Sequence, residues 1–197
     1  MFITVAGFKG GIGKTTSAVH LACFFAKLDK TLLVDGDPNH SATGWAKRGA
    51  LPFPVVDIMA AGKHSRNYEH VIIDTAARPD KEELQALADG CDLLILPTCP
   101  DALAIDALLQ TIDLLETFQG NYRVLLTMVH PPPVKSAEMA RESLNGAGLK
   151  LFKGEIRRYI AYEKASLLGV PVYESGDRRG RIAWQEYQSI GKEIING

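Results

Sequence analysis

The sequence predicts an α/β fold, a mostly parallel sheet flanked by helices, in one domain spanning residues 1–197. Three observations carry that expectation. Apolar runs of strand length alternate with helical patterns along the chain, as βαβ connections require. The runs are rich in Val, Ile and Leu on both faces, as parallel strands covered on both sides are. A glycine-rich turn, "KGGIGKT" (9–15), lies between the first run and the first helical pattern, where such folds bind phosphate.

Taken in order, strands are expected at Phe2–Ala6, Thr31–Val34, His70–Asp74, Leu93–Pro97 and Arg123–Val129, with a weaker one at Leu151–Ile156. Helices are expected at Thr15–Lys27, Lys81–Gly90, Ala102–Phe118, Ser136–Ala147 and Arg181–Ile195. The polar stretch "AGKHSRNYE" (61–69) reads as loop, and "HPPPVK" (130–135) as a turn within the domain. Asp37-Pro38-Asn39 has the composition of a turn. No internal repeat or low-complexity segment interrupts the pattern.

Composition narrows the class. Hydrophobic residues make up 46% and charged residues 23%, the balance of an ordinary soluble globular protein. No run approaches the ~20 apolar residues of a transmembrane helix, and no basic segment precedes the first apolar run. The three cysteines, Cys23, Cys91 and Cys99, lack CxxC spacing; that argues against a zinc site or disulfide framework and fits a reducing cytoplasm. Cys23 reads as a core residue, as do Trp45 and Trp184. His20 sits among apolar neighbours on the first helix and His70 precedes a buried run, so both read as structural.

The chain carries 22 Lys/Arg against 23 Asp/Glu, unevenly spread. Residues 121–197 hold 12 basic and 8 acidic side chains. Such an excess is compatible with surface scatter or with a basic face for an anionic polymer.

The glycine turn carries the chemistry. The general phosphate-loop pattern wants a glycine where Phe8 stands, so the frame that fits runs from Lys9 to Thr15. Gly10, Gly11 and Gly13 let backbone N–H groups converge on phosphate oxygens around Ile12. The following helix N-terminus adds partial positive charge. Lys14 is placed to reach the β- and γ-phosphates, and the Thr15 hydroxyl to ligate Mg2+. Asp35, Asp37 and Asp74 fall at the ends of two apolar runs, on the side of a parallel sheet where ligands bind. Three acids there suit Mg2+ and water positioning. A second lysine, Lys9, has no role in cradling one phosphate.

"KGGIGKTT", "VDGDPNHSATGW" and "VIIDTAA" resemble the ParA/MinD superfamily of deviant Walker A P-loop NTPases. The similarity runs on through "CDLLILPTCPDALAIDAL" to "YIAYEKASLLGVPVYE". Within the superfamily the chain is most similar to small ParA-type partition ATPases, McdA-like carboxysome-positioning members included. The resemblance implies a Mg-ATP-dependent ATPase that forms a nucleotide-sandwich homodimer. Lys9 is then the signature lysine, contacting phosphates held by the other subunit as an arginine finger does. Lys14 is the loop lysine, Thr15 a Mg2+ ligand and Thr16 a phosphate contact. Asp35 and Asp74 hold Mg2+ through water, Asp37 positions the attacking water, and Val170 and Pro171 lie against adenine. It further implies non-specific DNA binding through the C-terminal half, with Arg157, Arg158, Lys164, Arg178, Arg179 and Arg181 as candidates. A cytoplasmic, nucleoid-associated location and a small adaptor of the ParB or McdB type follow.

Departures from the family pattern are present. Gly7 stands where an Asn is common, Ala76-Ala77-Arg78 where prolines usually follow the aspartate, and "DPN" replaces "DPQ". With the first strand expected at Phe2, the winged helix of larger partition ATPases is not expected. The ending "WQEYQSIGKEIING" has one basic residue, Lys192, which argues against a basic membrane-binding helix. Paired cysteine ligands for an iron–sulfur cluster are missing. A metabolic enzyme of the dethiobiotin-synthetase type would not need Lys9. A non-hydrolysing nucleotide-dependent scaffold is the remaining alternative. Tyr159, Tyr162 and Tyr173 lack the clustering of tyrosine autokinases.

Overall fold

In the computed structural model, which describes residues 1–111, 121–131 and 135–197, six strands form one sheet in the order β3-β2-β4-β1-β5-β6. They are β1 (Phe2–Gly7), β2 (Thr31–Gly36), β3 (Val55–Asp57), β4 (His70–Ala77), β5 (Leu93–Thr98) and β6 (Tyr122–Leu126). Every pairing is parallel, as the doubly apolar runs require. Eight helices cover it among the described residues: α1 (Lys14–Phe25), α2 (Ser41–Arg48), α3 (Ile58–His64), α4 (Lys81–Asp89), α5 (Ala102–Leu109), α6 (Ser136–Gly146), α7 (Ile160–Leu168) and α8 (Gly180–Ile195).

The helices fall into two layers. On one face α1, α2, α7 and α8 close a core that includes Ile3, Val19, Phe25, Leu33, Trp45, Ala161 and Tyr187. On the other, α4, α5 and α6 cover Leu94, Leu96, Val124 and Leu126 with Leu84, Leu108 and Leu144. Cys23, Trp45 and Trp184 are buried, as the sequence predicts. Helix α8 lies directly on α1; a Cβ at Gly191 would sit 2.3 Å from the Phe24 ring. Its apolar side, with Ala183, Trp184, Tyr187 and Ile190, is therefore inside the protein.

Several expectations need correction. Residues 61–67 are not loop, and only 68–69 are: α3 runs to His64 and a 3-10 turn follows at Ser65–Asn67. The Asp57 carboxylate starts α3 by accepting from Met59 N, an N-cap the polar composition hides. Leu151–Ile156 is not a strand. It runs beside β6 and the turn after it, joined by isolated bridges, Val124–Leu151 and Val129–Arg157, with no continuous ladder between them. The N–H groups of Lys153 and Gly154 go to the Glu193 carboxylate on α8, and that of Arg157 to Glu186. The Glu193 carboxylate thus interrupts the pairing at Lys153 and Gly154, while Phe152 N and Ile156 N on either side still donate to Val124 O and Leu126 O.

Elements α2, β3 and α7 have no counterpart in the sequence reading. Helix α2 carries Ser41, Thr43 and Gly44 in its first half, poor helix formers, and is started by a distant carboxylate: Thr43 N donates to Asp35 Oδ2. Strand β3 is three residues long at the sheet edge. Helix α7 ends at Gly169, whose φ of 71° is the left-handed stop. Strand β6 ends at Leu126, earlier than Val129, and Met128 has φ 53°. Helix α5 begins as expected; residues 112–118 of its predicted range, and 132–134 of the predicted turn, lie outside the described residues.

Candidate functional site

The phosphate loop joins β1 to α1. Gly11 and Gly13 adopt φ of 76° and 84°, which L side chains rarely adopt. Helix α1 starts at Lys14 with Gly13 as its N-cap and no side-chain cap. Its first N–H groups are therefore open to an anion. Thr127, just past β6, anchors the loop by donating to the Ile12 carbonyl at 2.8 Å. Ile12 is buried and explains Gly7: a Cβ there would sit 2.6 Å from Ile12 Cδ1 and 3.1 Å from Lys14 Cδ. A larger residue does not fit at position 7 without moving the Ile12 side chain.

The carboxyl ends of β1, β2 and β4 bring the acids to this loop. Asp35 pairs in register with Asp74, and Asp74 with Val5. Asp35 Oδ1 accepts from Asp37 N at 3.2 Å and Oδ2 from Thr43 N at 2.8 Å. Asp37 accepts from Asn39 N and Nδ2 at 2.8 and 2.9 Å, the turn read from the sequence.

Asp74 differs from both. It is 0% exposed, and neither carboxylate oxygen has a hydrogen-bond partner. Burial pushes its carboxyl up to about 7; the Thr15 hydroxyl, close by but short of a well-formed hydrogen bond, and the Lys14 charge pull the other way. An orphaned buried carboxylate is costly unless a cation or water meets it. The Thr15 hydroxyl lies on the same side. Among the described residues no group of three His, Cys, Asp or Glu forms a closed metal cage. Mg2+ in phosphate sites does not need one, since one or two carboxylates, waters and phosphate oxygens suffice. The residues present thus fit Mg2+.

A cavity of about 950 Å³ opens above the loop, within the range of small-molecule sites. Gly10, Gly11, Gly13, Lys14, Thr15 and Thr16 form its floor, and Asp37 stands at its edge. Lys14 is buried beneath it, 7% exposed. Trp45 of α2 and Tyr162 of α7, both packed edge-on against the His20 ring, line it together with Met128 and Ile156. These apolar lining residues have no signal in the sequence reading beyond lying after strand ends. Val170 and Pro171 do not line the cavity. Val170 instead accepts from Trp45 Nε1 at 3.1 Å.

His20 is structural, as expected, and its bonds fix its tautomer. Val172 N donates to Nε2 at 3.1 Å, so Nδ1 carries the proton and donates to Thr16 O at 2.7 Å. The ring is fully buried, stacks on Tyr187 at 5.0 Å and has its pKa lowered to about 4 by desolvation.

Lys9 stands apart. It does not line the cavity; it lies in an outer groove with Phe8, Arg78, Pro79 and Leu103. Its Nζ donates to Asp101 Oδ1 at 2.9 Å.

The basic candidates divide. Arg157 and Arg158 line the nucleotide-sized cavity, and Arg157 pairs with Glu186 at 3.3 Å. Lys164 pairs with Asp177 at 2.7 Å. Arg179 lies 5.9 Å from the Tyr159 ring centroid. Arg178 and Arg181 are exposed, and neither forms an ion pair with the described residues.

Comparisons with known proteins agree with this geometry. Residues 3–172 match the CobQ/CobB/MinD/ParA nucleotide binding domain. The chain is 34% identical to the maintenance of carboxysome distribution protein A of Gloeobacter kilaueensis, over 98% of this chain and 93% of that one. It is 26% identical to protein ParA of Rhizobium radiobacter, over 92% and 89%. The fold is shared with a Cyanothece McdA variant solved in complex with ATP, at a TM-score of 0.78 and 16% identity over 99% and 96%. A loop with an uncapped helix, a buried lysine and strand-end acids is what a nucleotide-binding domain of this kind requires, and the chain belongs to the CobQ/CobB/MinD/ParA nucleotide-binding family.

Proposed function

We propose that this protein is a Mg-ATP-dependent ATPase that dimerises around nucleotide, binds DNA without sequence preference and positions a cargo. The observation that carries the reading is the convergence of Lys14, the open N-terminus of α1 and the orphaned Asp74 on one cavity. That set is balanced by a triphosphate with its cation and by little else.

Lys14 and the α1 N–H groups bind the phosphates, and Thr16 adds a further contact. Thr15 and Asp74 hold Mg2+, which when bound neutralises phosphate charge. Asp35 spends part of its acceptor capacity on the turn that carries Asp37, and retains the rest for the cation's water shell. Asp37 orients the attacking water. Lys9 faces away from its own cavity, consistent with a contact across a dimer. The aromatic wall at Trp45 and Tyr162 suits a base better than Val170 and Pro171 do.

The relatives named for carboxysome distribution and as ParA support cargo positioning. A small adaptor of the ParB or McdB type is the expected stimulator of hydrolysis. A cytoplasmic, nucleoid-associated location fits. No described helix is long and apolar enough to cross a membrane, and α8 keeps its apolar side against α1.

The DNA reading rests on exposed Arg178 and Arg181, supported by Lys164 and Arg179. One such patch is a weak ligand for a polyanion. Joining two patches by dimerisation makes the second contact intramolecular and raises avidity by roughly 10²–10⁴-fold. An electrophoretic shift on unrelated duplexes tests this. The expected result is binding with a non-hydrolysable ATP analogue, loss with ADP, and a steep fall with salt. Equal binding in both nucleotides, or none at low salt, removes DNA and leaves a nucleotide-dependent protein scaffold.

A further inference from the structure

Outside the nucleotide cavity, one polar cluster ties the phosphate loop to the end of β5. Lys9 Nζ donates to Asp101 Oδ1 at 2.9 Å. Cys99 Sγ donates to Asp101 Oδ2 at 2.6 Å. The same carboxylate accepts from Ala104 N at 3.0 Å and so caps α5. Together the Cys99 thiol and the Lys9 ammonium hold the Asp101 carboxyl down at about 2. Asp101 is thus a fixed, ionised acceptor, with its backbone set by a helix start and its second oxygen taken by a thiol. Lys9 is the mobile member, on a flexible stem at the edge of the glycine turn.

We propose that Asp101 is a positioning residue that holds Lys9 in cis, so that Lys9 exchanges Asp101 for phosphate on a second chain when the dimer forms. This rests on the trans role of Lys9 given above. Two copies without nucleotide would bring two lysines together with no anion between them. Asp101 satisfies each lysine within its own chain and lowers the incentive to associate. A triphosphate presents several charges where Asp101 presents one, so the exchange runs forward only when nucleotide is bound. The pair is partly exposed, with side chains 33% and 44% accessible, so its hold is modest. Pairs of this kind shift an equilibrium by about two- to five-fold.

A double-mutant cycle on the full chain tests the assignment. Asp101→Asn keeps an oxygen for Ala104 N, and Asn is as good a helix cap as Asp, so α5 keeps its start while the charge is lost. The readout is the dimer dissociation constant by sedimentation equilibrium with a non-hydrolysable ATP analogue. Asp101→Asn is expected to tighten the dimer about two- to five-fold, and Asp101→Glu to restore the wild-type value. In a Lys9→Met background, Asp101→Asn is expected to change nothing. An equal change in both backgrounds means that Asp101 acts as a plain surface charge and overturns the proposal. So does an unchanged or weaker dimer in Asp101→Asn while Lys9→Met still weakens it; the trans lysine then stands without its cis partner. If Lys9→Met leaves the dimer unaltered, the trans role itself fails and the cis hold has nothing to regulate.

Discussion

Charge is handled in opposite ways at the phosphate loop and in the basic segment 150–181. At the loop, Lys14 and Asp74 are buried, and both Asp74 oxygens lack a partner. In the segment the basic side chains are exposed, and two are already answered: Lys164 by Asp177, Arg157 by Glu186. The difference teaches how to weigh a charged residue as a sign of function. A buried carboxylate without a partner is costly, so one at a strand end beside a phosphate loop marks a place for a ligand. An exposed pair contributes little either way. The nucleotide site therefore rests on firmer physical ground than the DNA surface.

The largest expected effect breaks the loop side of that comparison. Lys14→Ala removes a buried ammonium facing phosphate, and should weaken ATP affinity by roughly 10²–10³-fold, measured by calorimetry. Asp37→Ala should leave ATP affinity nearly unchanged while slowing phosphate release by roughly 10²-fold, with a longer-lived dimer. Equal loss of nucleotide affinity in both variants would contradict the division of roles.

Next in size is a pH effect that separates structural burial from site burial. His20 has its pKa lowered to about 4 by desolvation, so the folded state disfavours its proton. Stability from the neutral ring is fully present above pH ~6.5 and is lost as pH falls toward 4. The loss should approach about 3 kcal/mol. His20→Gln should flatten that slope in urea unfolding curves between pH 4 and 6.5. An unchanged slope would place the acid sensitivity elsewhere.

The smallest effects belong to the basic segment. Arg178→Ala and Arg181→Ala should each lower the salt slope of DNA binding by about 1. Lys164→Ala should lower it less, because Asp177 already holds that ammonium. The reverse order would mean that the Lys164–Asp177 pair opens on DNA.

Much of this was legible in the sequence, for identifiable reasons. Five of the six strands were readable because burial on both faces writes apolar runs. The glycine frame and the three strand-end acids were readable because phosphate chemistry fixes residue type and spacing. What escaped was fixed by contacts distant in sequence. Helix α2 depends on the Asp35 carboxylate, and the segment after Leu151 is interrupted at Lys153 and Gly154 by the Glu193 carboxylate. The apolar wall of the cavity is assembled from α2, α7 and the turn after β6, which no local pattern joins. Asp101 was hidden in the same way, 92 residues from Lys9 in sequence.

Asp74, Thr15 and Lys14 are expected to form one Mg-ATP site. Titration calorimetry of a non-hydrolysable ATP analogue, in Mg2+ and in excess EDTA, tests it most directly. The account predicts saturable binding in Mg2+ that weakens at least about 10-fold in EDTA, with that dependence abolished in Asp74→Ala; a tenfold change corresponds to about 1.4 kcal/mol. Binding that ignores Mg2+, or a Mg2+ dependence that survives in Asp74→Ala, would contradict it.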